Sequence, residues 1–460
     1  MKKAGTKFLL ELCVAALLLC GATHRFFAQE SPPDLADLEK AIVAEIAATQ
    51  TPGAAFAVIK GDKVLYAKGF GVTSTEGGQV VNADTLFRMG STTKMFTAAA
   101  VAALADSGKV RLDEPVGKHI KNLPPGIAAL TPHHLLSQSS GLRDFAPLAN
   151  GNDDGALGQN VRLWKDDVFF TEPNAIYSYS SANYWLAGFL TEQLTGKSYS
   201  ESLAELVLRP LGMKRSTINP LEAMTYPLAL GHNVKDRSVT VVRPIDNNAA
   251  KFPGGSMYSS VNELSRFAIA MLNGGRLEGR QEIPAPVVEN LQKPQFYLPG
   301  EEKAFYGYGL LGYTDSGVKT VSHGGVSRGY GSTIFFAPEH RFAVIVLTNS
   351  NGQTLPRSRR KAMEIFLPLK QQPDESISAI KLSTAETTRY IGKYSHKPQI
   401  WEVFARDGKL FIKQDGKDFE LKPNGKDSFE YEQGQVLFVS NGRGEFGHIF
   451  MGLYAARRVS

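Results

Sequence analysis

The chain has 460 residues, a formal net charge of +6, and apolar side chains at 43% of positions. Such a length predicts more than one domain, and so modest a charge, with no aromatics set among basic clusters, argues against a nucleic-acid surface. Both cysteines, Cys13 and Cys20, lie near the start, so a chain trimmed beyond them has no disulfide, thiol nucleophile or cysteine metal ligand.

In chain order, Lys2, Lys3 and Lys7 precede an apolar stretch from Leu12 to Leu19, the pattern of a secretory signal. Glu11 shortens that stretch, which is then too short for a stable membrane span. We therefore expect residues 1–28 to be a signal peptide, cut after Ala22 or Ala28, and the protein to be secreted or periplasmic. Leu17-Leu18-Leu19 before Cys20 is a poor lipobox, because the residue ahead of a lipidated cysteine is normally small. A lipoprotein anchored through Cys20 is the lesser expectation.

Ala54–Ile59 and Lys63–Ala67 flank Lys60-Gly61-Asp62 and read as a β-hairpin. Then comes Ser91-Thr92-Thr93-Lys94, at the head of an alanine-rich run, Met95–Leu104, that is apolar on nearly all sides and closed by Gly108. This spacing puts a hydroxyl and an amine on one face of a helix start. A serine needs a base to become a nucleophile, and a buried lysine can supply one. The first turn also offers free N–H groups to a developing negative charge. The competing reading is an N-cap serine with a solvated lysine one turn on. Ser316-Gly317-Val318-Lys319 has the same spacing but reads as a turn entering a strand.

His133-His134 are adjacent and expected to point apart, so they do not make a metal pair; no metal or organic cofactor is implied elsewhere. Tyr177-Ser178-Tyr179-Ser180-Ser181-Ala182-Asn183-Tyr184 leads into an apolar run through Leu190, and a tyrosine at such a helix entrance can shuttle a proton. His323-Gly324-Gly325 leads into a strand, where glycines allow close backbone approach to a ligand and the histidine adds a donor. Ser332–Phe336 and Ala343–Leu347 flank a turn at Pro338-Glu339-His340. Strands at both ends with helices between them predict one antiparallel sheet with a helical insertion. Arg357, Arg359, Arg360 and Lys361 open a last helix ending near Leu367 and read as a solvated face.

Gln371-Gln372-Pro373-Asp374-Glu375-Ser376 begins a polar linker, placed at residues 371–383. Beyond it Asp407-Gly408, Asp415-Gly416, Asn424-Gly425 and Asn441-Gly442 punctuate short β-prone runs, which predicts a small antiparallel barrel over 384–460 with no titratable constellation of its own.

Ser91-Thr92-Thr93-Lys94, Tyr179-Ser180-Ser181 and His323-Gly324-Gly325, in that order, resemble the serine β-lactamase-like superfamily, on the side of class C β-lactamases, D-Ala-D-Ala peptidases and related esterases. Leu135–Leu142, Gly254–Ser259 and Asn262–Phe267 add to the likeness, which spans about Leu35 to Phe366, and the tail from Tyr390 resembles the lipocalin-like barrel of some members. The resemblance implies an α+β fold, with a serine-hydrolase domain at 29–370 whose antiparallel sheet carries an inserted helical region. It implies Ser91 as acylated nucleophile, Lys94 as its base and Tyr179 as proton relay. His323, with Gly324 and Gly325, would stand where the family has K-T-G, and the N–H groups of Ser91 and Val326 would form the oxyanion hole. Ser181 departs from the usual asparagine, which weakens recognition of an acylamino group. The substrate implied is a small-molecule or peptide amide or ester: a D-amino-acid peptide, a β-lactam or a simple ester. Two other readings compete. Gly325-Val326-Ser327-Arg328-Gly329 matches a nucleophile elbow, which would make Ser327 the nucleophile of an α/β-hydrolase. A penicillin-binding or sensor protein that does not turn over is the other.

Overall fold

Eight strands make one antiparallel sheet. Their order across it is Lys63–Gly71, Gly53–Lys60, Phe342–Thr348, Tyr330–Ala337, Val318–Ser327, Leu311–Asp315, Phe305–Tyr306 and Phe296–Tyr297. The computed structural model describes residues 35–144, 146–236, 238–371, 383–442 and 445–460. The expected signal peptide and the body of the expected linker, residues 372–382, lie outside the described residues.

The sheet joins the two ends of the domain, as the sequence predicts. Gly53–Lys60 pairs with Phe342–Thr348 in the register Phe56↔Val346 and Val58↔Val344. Both strands are continuous apolar runs, as a strand covered on both faces requires, and both are buried almost throughout. Lys63–Gly71 mixes lysines with apolar residues and sits at the edge, largely exposed. The helices Val261–Leu272 and Pro356–Phe366 pack on the central strands. In the second of these, Arg357 is exposed but Arg359 is partly buried and lies over the Phe335 ring, so the basic patch is only partly solvated.

Between the sheet's two ends lies the helical region. The helix Thr93–Asp106 is buried along nearly its whole length, and Gly108, with φ of 73°, ends it. It packs against the helix Ser181–Thr195, and the short turn Phe252–Gly255 packs against both.

From Gly392 to Arg458 eight strands form a closed barrel, sealed by pairing of Tyr394 with Arg458 across its first and last strands. Asp407-Gly408 and Asp415-Gly416 are two-residue turns with positive φ at both positions, as their chemistry requires. Asn424-Gly425 is not a turn. It lies in the strand Lys417–Gly425 beside a register shift, and the chain reverses after it, where Asp427 takes positive φ. The barrel interior is filled by side chains including Tyr394, Trp401, Ile412, Phe429, Phe438 and Ile449. Tyr390 packs into them, its ring stacked 4.9 Å from that of Phe446. Leu38–Ser460 forms one compact unit that includes the barrel.

Candidate active site

The chain before the long buried helix makes a tight 3-10 turn, Gly90–Thr92, and passes directly into Thr93–Asp106. Three hydroxyls hold that turn in place. Thr92 donates to the Met89 carbonyl at 2.8 Å, Thr93 to Gly90 at 2.7 Å, and Ser332 to Met89 at 2.5 Å. Gly90 has φ of 56°, and a Cβ there would stand 2.7–2.9 Å from the Val326 backbone. The serine turn and the strand Val318–Ser327 therefore touch backbone to backbone beside Ser91. That strand pairs with Leu311–Asp315 only as far as Ser322, so on this side 323–327 forms an open edge, with Val326 at 61% exposure.

Lys94 follows one turn after Ser91 and is fully buried. Its Nζ lies 3.3 Å from Ser91 Oγ and 3.4 Å from Ser181 Oγ, and it donates to the Gly254 carbonyl at 2.6 Å. The Tyr179 and Tyr184 rings lie 4.8 and 5.5 Å from it. Burial drives its amine from the ordinary 10.5 down to about 7, against an opposing pull from Asp144. The solvated-lysine reading is thereby overturned. A lysine in this state can accept the proton of a hydroxyl at neutral pH.

Tyr179 precedes the helix Ser181–Thr195 by two residues. Its hydroxyl is buried with no hydrogen bond of normal geometry to the protein. Burial first, then Tyr306, raise the phenol well above its usual range, with the Ser91 side chain pulling the other way. The Ser91 hydroxyl is thus near enough to be felt, though the two do not form a well-shaped bond. The phenol keeps its proton and stands free to donate.

The irregular segment carrying Tyr179 is pinned by the loop Ser137–Gly141. Gln138, in the left-handed region at φ of 61°, accepts from Ser178 N–H with its carbonyl and from Ser180 N–H with its side chain. Asp144 Oδ1 accepts from Ser181 N–H at 2.6 Å and so caps the helix. Neither Gln138 nor Asp144 was marked by sequence spacing. Gln138 lies within Leu135–Leu142, which entered the family likeness without a role for any of its residues. Asp144 offered no signal.

His323 lies 6.1 Å from the Tyr179 ring, centroid to centroid, but it is not a spare donor. Its Nδ1–H donates to the Gly324 carbonyl at 2.6 Å, leaving Nε2 to accept from Tyr306 Oη at 3.1 Å. Burial, and then the charge of Lys94, lower its pKa to about 3, so the ring is neutral. Gly324 is exposed. Gly325 is glycine for a different reason from the expected ligand approach: a Cβ there would stand 1.9 Å from the Met89 carbonyl and 2.4 Å from Ser332 Oγ.

Ser327 ends its strand and is followed by a turn into the strand Tyr330–Ala337. A nucleophile elbow needs a helix there, and this reading is overturned. Ser316 and Gly317 form a turn before a strand, as expected, so the second serine–lysine match is inert. His133 and His134 take separate partners, Tyr308 and Asn174. A cleft of about 1240 Å³ lined by Asp62, Lys214, Glu263, Arg266 and Arg341 contains none of the Ser91 group.

The beta-lactamase family matches residues 36–366, most of the chain and all of the residues just described. The chain belongs to the beta-lactamase family. Penicillin-binding protein 4 of Amycolatopsis lactamdurans is 28% identical over 318 residues, covering 66% of this chain and 82% of that one. Protein flp of Staphylococcus aureus (strain MW2) is 25% identical over 312 residues, 66% of this chain. The chain spans 61% of that relative's length. Among solved structures, the octameric penicillin-binding protein homologue from Pyrococcus abyssi superposes with a TM-score of 0.67 at 24% identity, over 92% of this chain and all of that one. That likeness is one of fold, and its extent takes in the barrel.

Proposed function

We propose that this family member is a serine hydrolase that forms an acyl-enzyme on Ser91 from an amide or ester and then hydrolyses it. The observation that carries the reading is the buried Lys94 amine, half neutral near pH 7, within 3.3 Å of the Ser91 hydroxyl. In the acylation step Ser91 Oγ attacks the carbonyl carbon while its proton passes to Lys94 Nζ. The oxyanion falls to the N–H groups of Ser91 and Val326, whose backbones Gly90 brings together; one such donor is typically worth about 2.7–4 kcal/mol. The tetrahedral intermediate then collapses, its bond to the leaving group breaks, and Tyr179 Oη protonates the leaving group and is itself reprotonated by the proton that Lys94 took from Ser91. In deacylation water attacks the ester carbonyl, and the same groups act in reverse.

Within that class a simple ester or an uncharged acyl chain is favoured over a penicillin-like ligand. His323 is neutral and occupied by Tyr306, so it offers no cation to a substrate carboxylate. Ser181 Oγ is 3.4 Å from Lys94 Nζ and too short to reach a substrate amide as well. Export through residues 1–28 to the periplasm or outside the cell belongs to the same reading. The test is intact-mass analysis after exposure to a fluorophosphonate and to a penicillin, with the adduct mapped. A fluorophosphonate adduct on Ser91, lost in Ser91→Ala, together with hydrolysis of short-chain p-nitrophenyl esters, is the expected result. A stable penicillin adduct with no turnover of any ester would establish the non-hydrolysing binding protein instead.

A further inference from the structure

The barrel is not a bystander. Its last hairpin, Phe446–Met451 and Tyr454–Arg458, turns at Gly452-Leu453 with Gly452 at φ of 61°. That turn docks on the segment carrying the phenol. The Tyr179 N–H donates to the Leu453 carbonyl at 2.9 Å, and the Ala455 N–H donates to Ser178 Oγ at 3.1 Å. The Tyr454 ring stands edge-on to the Tyr179 ring, 6.2 Å between centroids at 89°. Its hydroxyl lies 3.5 Å from Asp144 Oδ2, the carboxylate that caps the Ser181 helix. His396 joins the same two parts: Nδ1–H donates to the Ala455 carbonyl at 2.6 Å, and Nε2 accepts from the Asp144 N–H at 3.2 Å. Tyr177 and Phe450 pack edge to face at 6.0 Å behind them.

The hairpin therefore supplies backbone and side-chain partners on both sides of Tyr179, through Ser178 and through Asp144. Tyr454 is 36% exposed while Tyr179 is 7% exposed, so Tyr454 forms the rim over a buried phenol. The sequence left the role of the barrel open, and this contact joins it to the segment that carries Tyr179. Sequence reading missed it because Tyr454 lies 275 residues beyond Tyr179 in an ordinary hairpin.

We propose that Leu453 and Tyr454 are positioning residues of the catalytic centre: the barrel's last hairpin holds the Tyr179 segment and limits the bulk of the acyl group admitted beside it. The inference rests on the acyl-enzyme reading for its specificity half and is independent of it for its positioning half. The barrel interior is filled by buried side chains such as Tyr394, Trp401, Phe429 and Phe438, and the contacts with the Tyr179 segment are made from the barrel's outside, through this hairpin and His396.

The test compares full-length wild type with Tyr454→Phe and Tyr454→Ala. One measurement is hydrogen exchange of a peptide covering Tyr177–Asn183. The other is kcat/KM for p-nitrophenyl acetate against the bulkier p-nitrophenyl pivalate. Tyr454→Ala is expected to speed exchange of the Tyr179 amide at least tenfold. It should also shift the pivalate-to-acetate ratio at least fivefold toward the bulky ester. Tyr454→Phe keeps the ring and should stay within about twofold of wild type in both. Unchanged exchange in Tyr454→Ala would overturn the positioning claim. An unchanged ratio, in a protein whose Ser91 still takes the fluorophosphonate, would overturn the specificity claim. If wild type neither labels at Ser91 nor cleaves either ester, the hydrolase reading and the specificity claim fall together, and exchange alone decides the positioning claim.

Discussion

Lys94→Met should make the protein more stable while abolishing its chemistry, and the gain should depend on pH in a way that only a buried lysine explains. An amine lowered from 10.5 to about 7 on folding costs about 5 kcal/mol at 1.36 kcal/mol for each tenfold change in proton affinity. That is the ceiling on what its removal can return. Methionine fills a similar volume but leaves the Gly254 carbonyl, now 2.6 Å from Nζ, without its donor, at a cost of about 1–3 kcal/mol. A net gain of about 2–4 kcal/mol remains, a rise of several degrees in melting temperature. The sign with pH follows from the unfolded chain holding its proton up to 10.5 and the folded one only to about 7. The lysine's stability penalty is full at and below pH 7, shrinks as pH rises, and is gone above 10.5. The melting-temperature gap between Lys94→Met and wild type should therefore be widest at pH 6–7 and should close toward pH 10. Scanning calorimetry or dye-monitored melting across that range reads it directly. A variant less stable than wild type at pH 7, or a gap constant with pH, would refute the claim that Lys94 is held in a state strained toward neutrality.

The burst rate with p-nitrophenyl acetate should rise through an apparent pKa near 7, and Asp144→Asn should move that limb to lower pH by removing the charge that supports the ammonium. A limb that stays put in Asp144→Asn would show that the carboxylate acts only as a helix cap. Gly325→Ala forces a Cβ to 1.9 Å from the Met89 carbonyl. It should cost about 1–3 kcal/mol of stability and slow labelling of Ser91 by fluorophosphonate, whereas Gly324→Ala, in open space, should do neither. Ser181→Asn should raise acylation by a β-lactam relative to ester cleavage, measured as the ratio of the two second-order rate constants. Equal ratios in variant and wild type would remove Ser181 from the account of specificity.

The serine–lysine pair was legible in the sequence because helix geometry alone puts a side chain and its neighbour three residues on along one face, and because the alanine run around it could only be buried. The sheet, with its two ends meeting, followed from two pairs of short apolar runs, and the barrel from turn dipeptides with fixed backbone demands. Local chemistry decides those features, so local sequence reports them. What the tertiary structure decided is everything that depends on who arrives from far away. The Gly254 carbonyl on Lys94, the Tyr306 hydroxyl that leaves His323 neutral, and the Met89 carbonyl that makes Gly325 obligatory are contacts across more than a hundred residues or across a sheet. The hairpin at Leu453 that grips Tyr179 is the furthest of them. A pKa near 7 or near 3 is a property of an enclosure, and neither residue type nor spacing encodes how completely water is excluded from it.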